Sequence, residues 1–202
     1  MRRRLDGKRA FAFAALTASL ALAGCGGGDE GGGGGGDATF DAGEAVIAEP
    51  GSTRALGERA FVEYEGIGPE FEPDAKTTLA VTVEKVDEGD SSDIDGLGES
   101  TVPFYVHLEY ENHGEGGIKI LGIPSHLTIE GSDGEEYNTE GVIEISGEFE
   151  QCPDAESDAT LAPEQALNDC VVVTLTEGVS PKQVSFRGNL ISQDEPIGWT
   201  VG

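Results

Sequence analysis

Two stretches of the chain set its character. Between Thr77 and Val86, Leu79, Val81 and Val83 alternate with Ala80, Thr82 and Glu84. Between Val102 and Asn112, Phe104, Val106, Leu108 and Tyr110 alternate with Tyr105, His107, Glu109 and Glu111. A period of two sustained over that length belongs to strands with one buried and one wet face. Shorter apolar runs predict further strands at Ala60 to Glu65, His126 to Glu130, Val142 to Phe149, Cys170 to Thr176, Gln183 to Gly188 and Ile197 to Val201. Ser132-Asp133-Gly134 and Asn112-His113-Gly114 carry hairpin-like turn chemistry, while Pro163, Pro181 and Pro196 are expected to interrupt pairing. No window of ten or more residues in this region has a convincing helical period. The pattern predicts an all-β domain, a single antiparallel β-sandwich of seven or eight strands.

Hydropathy changes character at the N-terminus. Arg2, Arg3, Arg4, Lys8 and Arg9 precede an apolar run from Ala10 to Ala23, which is too short to span a bilayer as a helix. The run ends in Leu22-Ala23-Gly24-Cys25, small residues before a cysteine in the order used for lipoprotein processing. Residues 1–24 are therefore expected to be a lipoprotein signal peptide, and Cys25 the lipidated first residue of the mature chain. Gly26 to Gly36 is glycine except for Asp29 and Glu30, a stretch that is costly to order and has nothing to bury. Residues 25–56 are accordingly expected to be a Gly-rich acidic tether, and residues 57–202 the sandwich. No repeat of solenoid or propeller period is present.

Removal of the signal peptide sharpens the charge. It leaves seven Lys and Arg against 38 Asp and Glu, a formal charge of −31. Such a chain repels nucleic acid and anionic headgroups, so nucleic-acid binding is excluded. The acidity is expected to be a solvated surface, with a cation sink or a docking face for a basic partner as alternatives.

Several stretches together carry a family likeness: Leu56-Gly57-Glu58-Arg59-Ala60-Phe61-Val62, Thr77 to Val83, Pro103-Phe104-Tyr105-Val106 running to Asn112, Cys152, Leu161-Ala162-Pro163, Cys170, Val184-Ser185-Phe186 and Pro196-Ile197-Gly198-Trp199. With these the chain resembles an actinobacterial lipoprotein domain of unknown function, similar to telokin-like, immunoglobulin-type sandwiches. The likeness spans most of residues 56 to 201. It departs from the pattern at Pro163-Glu164, where such domains often have Pro-Gly, so a different turn is expected there. It implies an immunoglobulin-like fold and an envelope location, and brings no active site with it.

Candidate chemistry is sparse. With Cys25 consumed by lipid, Cys152 and Cys170 have one possible pairing and are expected to form a disulfide outside the cytoplasm. They lack the Cys-x-x-Cys spacing of a redox pair. His107, expected on a wet strand face, and His113, expected in a turn, are read as surface residues; with His126 they are the only histidines, and no catalytic motif surrounds them. Tyr105, Tyr110 and Trp199 offer an aromatic surface, although Tyr110 and Trp199 are more simply core. The loop from Asp87 to Gly96 packs Asp87, Glu88, Asp90, Asp93 and Asp95 around flexible positions. Its aspartates Asp87, Asp90, Asp93 and Asp95 are candidate calcium ligands, although the loop fails as an EF-hand because Val102 stands where a bidentate Glu is needed. No other cofactor is expected.

The functional expectation is a monomeric, lipid-anchored binding or interaction module on the extracytoplasmic face of the cell membrane. It would meet an unidentified extracellular or envelope protein without catalysing a reaction. The alternative is a calcium-dependent structural or adhesive envelope domain.

Overall fold

The computed structural model describes residues 41, 43–65, 76–94, 97–98, 100–119, 123–138, 151–152, 160–188 and 195–202. The expected signal peptide, Cys25, the glycine stretch and the expected strand Val142 to Phe149 lie outside the described residues. Eleven strands are present among those described: β1 Thr53–Ala55, β2 Arg59–Glu65, β3 Lys76–Glu88, β4 Thr101–Asn112, β5 Ile118–Lys119, β6 Leu127–Gly131, β7 Glu136–Asn138, β8 Thr160–Leu161, β9 Ala166–Thr176, β10 Pro181–Phe186 and β11 Ile197–Thr200.

They form a β-sandwich. One sheet has the order β2-β3-β4-β9 and the other β1-β11-β10-β6-β7, with β5 and β8 as a separate ladder. Pairing is antiparallel throughout except for β1 with β11, which run parallel. The alternation read from the sequence supplies the inner faces. Leu79, Val81, Val83, Phe104, Val106, Leu108 and Tyr110 join Ile129, Val184, Phe186, Ile197 and Trp199 of the second sheet in one core. At roughly 1.5–3 kcal/mol for each large apolar side chain fully buried, this shared core is the main force holding the sheets together.

The sandwich begins before residue 57, which corrects the expected tether boundary. Ala48 is buried in the core, Ile47 bridges to Phe61 in parallel, and β1 pairs with β11 from Thr53 to Ala55. A three-residue strand is too short to display a period, and the Pro50-Gly51 turn beside it has the composition of a linker. Gly51 takes a φ of 73° there, a conformation that favours glycine. Trp199, fully buried, donates from Nε1 to the Glu58 carbonyl at 2.7 Å and ties β11 to the turn entering β2.

Prolines behaved in two ways. Pro163 and Pro196 lie between strands as expected, whereas Pro181 is the first residue of β10, with a register shift before Gln183. A strand's first residue is one of the few places where a missing N–H costs little. In the turn after Pro163, where a different conformation was expected, Glu164 adopts a φ of 59°, the conformation a glycine would take without strain.

Candidate functional site

The side of the first sheet that faces away from the core is less wet than the alternation implied. Register aligns its side chains in rows: Phe61, Ala80, Glu111 and Ala166; Arg59, Thr82, Glu109 and Asn168; Lys85, His107 and Cys170; Asp87, Tyr105 and Val172. The β-bulge between Val83 and Lys85 leaves Glu84 exposed and restores the alternation beyond it. Tyr105 and Glu111, both expected to be wet, are buried at 2% and 1% exposure. Different structures cover them at the two ends of the face.

At one end the cover is apolar. Cys152 and Cys170 are disulfide-bonded, with Cα atoms 5.1 Å apart, and they pack with Ile94, Tyr105 and Val172 into a small second core. The bond thus fastens the chain around Cys152 onto the outside of β9. Gly89 sits so close over the Tyr105 ring that a Cβ there would lie 2.6 Å from a ring carbon. The expected aromatic surface therefore does not form, since Tyr105 is under the loop and Tyr110 and Trp199 are in the main core.

The acidic loop runs across this end. Asp87 accepts from Lys85 Nζ at 2.6 Å and lies 3.3 Å from His107 Nε2. The Lys85 hydrogen bond, followed by the positive charges of Lys85 and His107, holds its carboxyl below the usual range. His107, half-buried, has its pKa lowered first by burial and then by Lys85, against the pull of Asp87. Asp90 caps the 3-10 turn Ser91–Asp93, accepting from the Ser92 backbone N–H at 2.9 Å and from its hydroxyl at 2.7 Å. Asp95 and the side chain of Asp93 lie outside the described residues. Two of the four expected calcium ligands are thus engaged by other groups, and among the described residues no three or more His, Cys, Asp or Glu are grouped to hold a metal ion.

At the other end the cover is ionic, and the sequence reading missed it. Arg59 on β2 pairs with Glu111, stands 3.9 Å from Glu109 Oε1 and reaches Asp41 Oδ2 at 3.3 Å. Glu111 Oε2 also accepts the Asp41 backbone N–H at 3.2 Å and lies 3.0 Å from His113 Nε2. His113 was expected at the surface of a turn, but its side chain is 7% exposed and stacks edge-on against Phe61 at 4.9 Å. Burial, followed by the hydrogen bond and charge of Glu111 and the charge of Glu84, pushes Glu109 up to about 7 from 4.5, against the pull of Arg59. Glu109 hence keeps its proton up to near neutrality. The available signal was the spacing of Glu109 and Glu111 on one face of β4 with His113 just beyond its end, near an arginine in a chain with very few cations.

The arrangement can hold a proton and a chain segment. Glu111 is the hub of the cluster, shared by Arg59, His113 and the Asp41 amide. No protein-family model matches the chain, and no curated protein matches it. Among solved structures it is similar to an uncharacterized β-sandwich protein from Clostridium difficile 630, at 7% identity, over 80% of this chain and 99% of that one, with a TM-score of 0.43.

Proposed function

We propose that the protein is a lipid-anchored interaction module of the extracytoplasmic face, tethered through Cys25 and presenting its sandwich to an extracellular or envelope protein. On this reading it works by binding, without turnover, and its finer kinship is with the telokin-like, immunoglobulin-type domains of actinobacterial lipoproteins. The observation that carries it is the Cys152–Cys170 bond on the outside of the sandwich. Disulfides form and persist in oxidising compartments, which is where the Leu22 to Cys25 pattern would send the chain. The formal charge of −31 supports a solvated module that stands off anionic headgroups while the lipid supplies the attachment.

Detergent phase partitioning of the exported protein tests the anchor. The wild type is expected in the detergent phase and Cys25→Ser in the aqueous phase; an aqueous wild type would sink the reading. Crosslinking in the native envelope then identifies the partner, and recovery of the uncrosslinked monomer alone at every crosslinker length would argue against an interaction role.

A further inference from the structure

The ionic cluster on the outer face attaches the chain that enters the sandwich. Asp41 is held twice, by its backbone N–H to Glu111 and by its carboxylate to Arg59. Farther along, Ala48 donates its N–H to the Phe61 carbonyl at 2.7 Å. Between these points little apolar surface is used: Val46 is 71% exposed and Ile47 47%. Up to Ala48, which is buried in the core, the docking of this segment therefore depends more on the cluster's charges than on burial.

Those charges are unevenly matched. Arg59 is one cation serving three carboxylates, Asp41, Glu109 and Glu111. Glu84 on β3 adds a fourth negative charge acting on Glu109. His113 faces Glu111 from the turn after β4, and the row neighbours Thr82 on β3 and Asn168 on β9 are uncharged. While Glu109 keeps its proton it donates to Glu111 and draws little on Arg59. When the proton leaves to solvent, a further carboxylate draws on the same guanidinium, and Asp41, the most exposed member of the set, loses its share.

We propose that Arg59, Glu109, Glu111 and Asp41 form a proton-dependent latch, which holds Asp41 and residues 43–47 against β2 while Glu109 is protonated and releases them, up to the buried Ala48, when it ionises. Release adds these residues to the linker that precedes them. If Cys25 is the anchor, as proposed above, the domain then stands farther from the membrane under alkaline than under mildly acidic conditions; this consequence alone rests on that reading.

The test is backbone 15N relaxation of the intact chain in detergent micelles at about pH 5.5 and about pH 8.0. The amides of Asp41 and residues 43–47 are expected to have heteronuclear NOE values like those of β2 at the lower pH and markedly lower values at the higher. Glu109→Gln, which keeps the neutral form, should hold them rigid at both. Arg59→Gln should free them at both while resonances of β4 and β9 stay dispersed. Unchanged NOE values in the wild type, a drop that survives Glu109→Gln, or a segment that stays rigid in folded Arg59→Gln would each overturn the latch. Partitioning separates this from the anchor: a working latch on a chain whose Cys25 carries no lipid retains the switch and removes only its membrane consequence.

Discussion

Glu109 and Glu111 stand two residues apart on the same face of β4, and the buried Glu111 pairs with Arg59 and accepts a hydrogen bond from its protonated neighbour. The consequence for folding has a definite sign. Glu109 titrates near 7 in the native state against 4.5 ordinarily, because burial and then Glu111 favour its neutral form. The folded protein thus binds this proton more tightly than the unfolded chain does. Its contribution to stability is complete below about pH 4.5, declines as pH rises, and is gone above about pH 7.

Glu109→Gln should therefore flatten the fall of melting temperature between about pH 4.5 and 7, and should melt higher than wild type at about pH 8. Scanning calorimetry in a buffer series at fixed ionic strength checks both. An equal slope in variant and wild type would assign the pH dependence to other groups.

The disulfide is expected to contribute to stability as well as to attachment. It closes a loop across a sequence separation of 18, and its sulfurs lie in the small core with Tyr105 and Val172. Cys170→Ser should lower stability by roughly 2–5 kcal/mol. Urea titration with and without reductant measures the difference. Wild type in reductant should approach the variant, and a variant as stable as the oxidised protein would show that packing alone holds the segment.

Trp199 offers an internal probe. It is the only tryptophan, is fully buried, and donates to the Glu58 carbonyl at 2.7 Å. Trp199→Phe keeps most of the apolar volume but leaves that carbonyl without its donor, at a cost of about 1–3 kcal/mol. The variant should lose stability in urea by that amount, and wild-type emission should shift to the red only in the main unfolding transition. A red shift well below that transition would mean that β11 leaves the sandwich first.

How much of this was legible depends on how many residues each feature uses. β3 and β4 could be read because Leu79, Val81, Val83 and the series from Phe104 to Tyr110 repeat a period often enough to stand out. β1, β5 and β8 have three residues or fewer, and their pairing is set by partners far along the chain. The wet face failed for a related reason. Alternation tells which side chains point away from the core, and it is silent on whether a disulfide or an N-terminal segment comes back to cover them, as happens over Tyr105 and Glu111. The disulfide itself was legible once Cys25 was set aside for the proposed anchor, since pairing needs no knowledge of the fold when two cysteines remain.

The charge provides the final prediction. The full chain carries −27, and −31 if residues 1–24 are removed as proposed; it repels itself most when compact, and the range of that repulsion shrinks from about 30 Å at 0.01 M salt to about 10 Å at 0.1 M. Melting temperature should climb with sodium chloride over this interval and level off beyond it. Calcium at about 1 mM, added at high salt where general screening is complete, should contribute nothing further, since only a specific site would then respond. The reason is local: a calcium ion in the loop would have to take Asp87 from Lys85 and His107, and Asp90 from the Ser92 amide and hydroxyl. A calcium increment at high salt that disappears in the combined Asp93→Asn and Asp95→Asn variant would show instead that the loop rearranges around the ion, and would make the adhesive reading the stronger one.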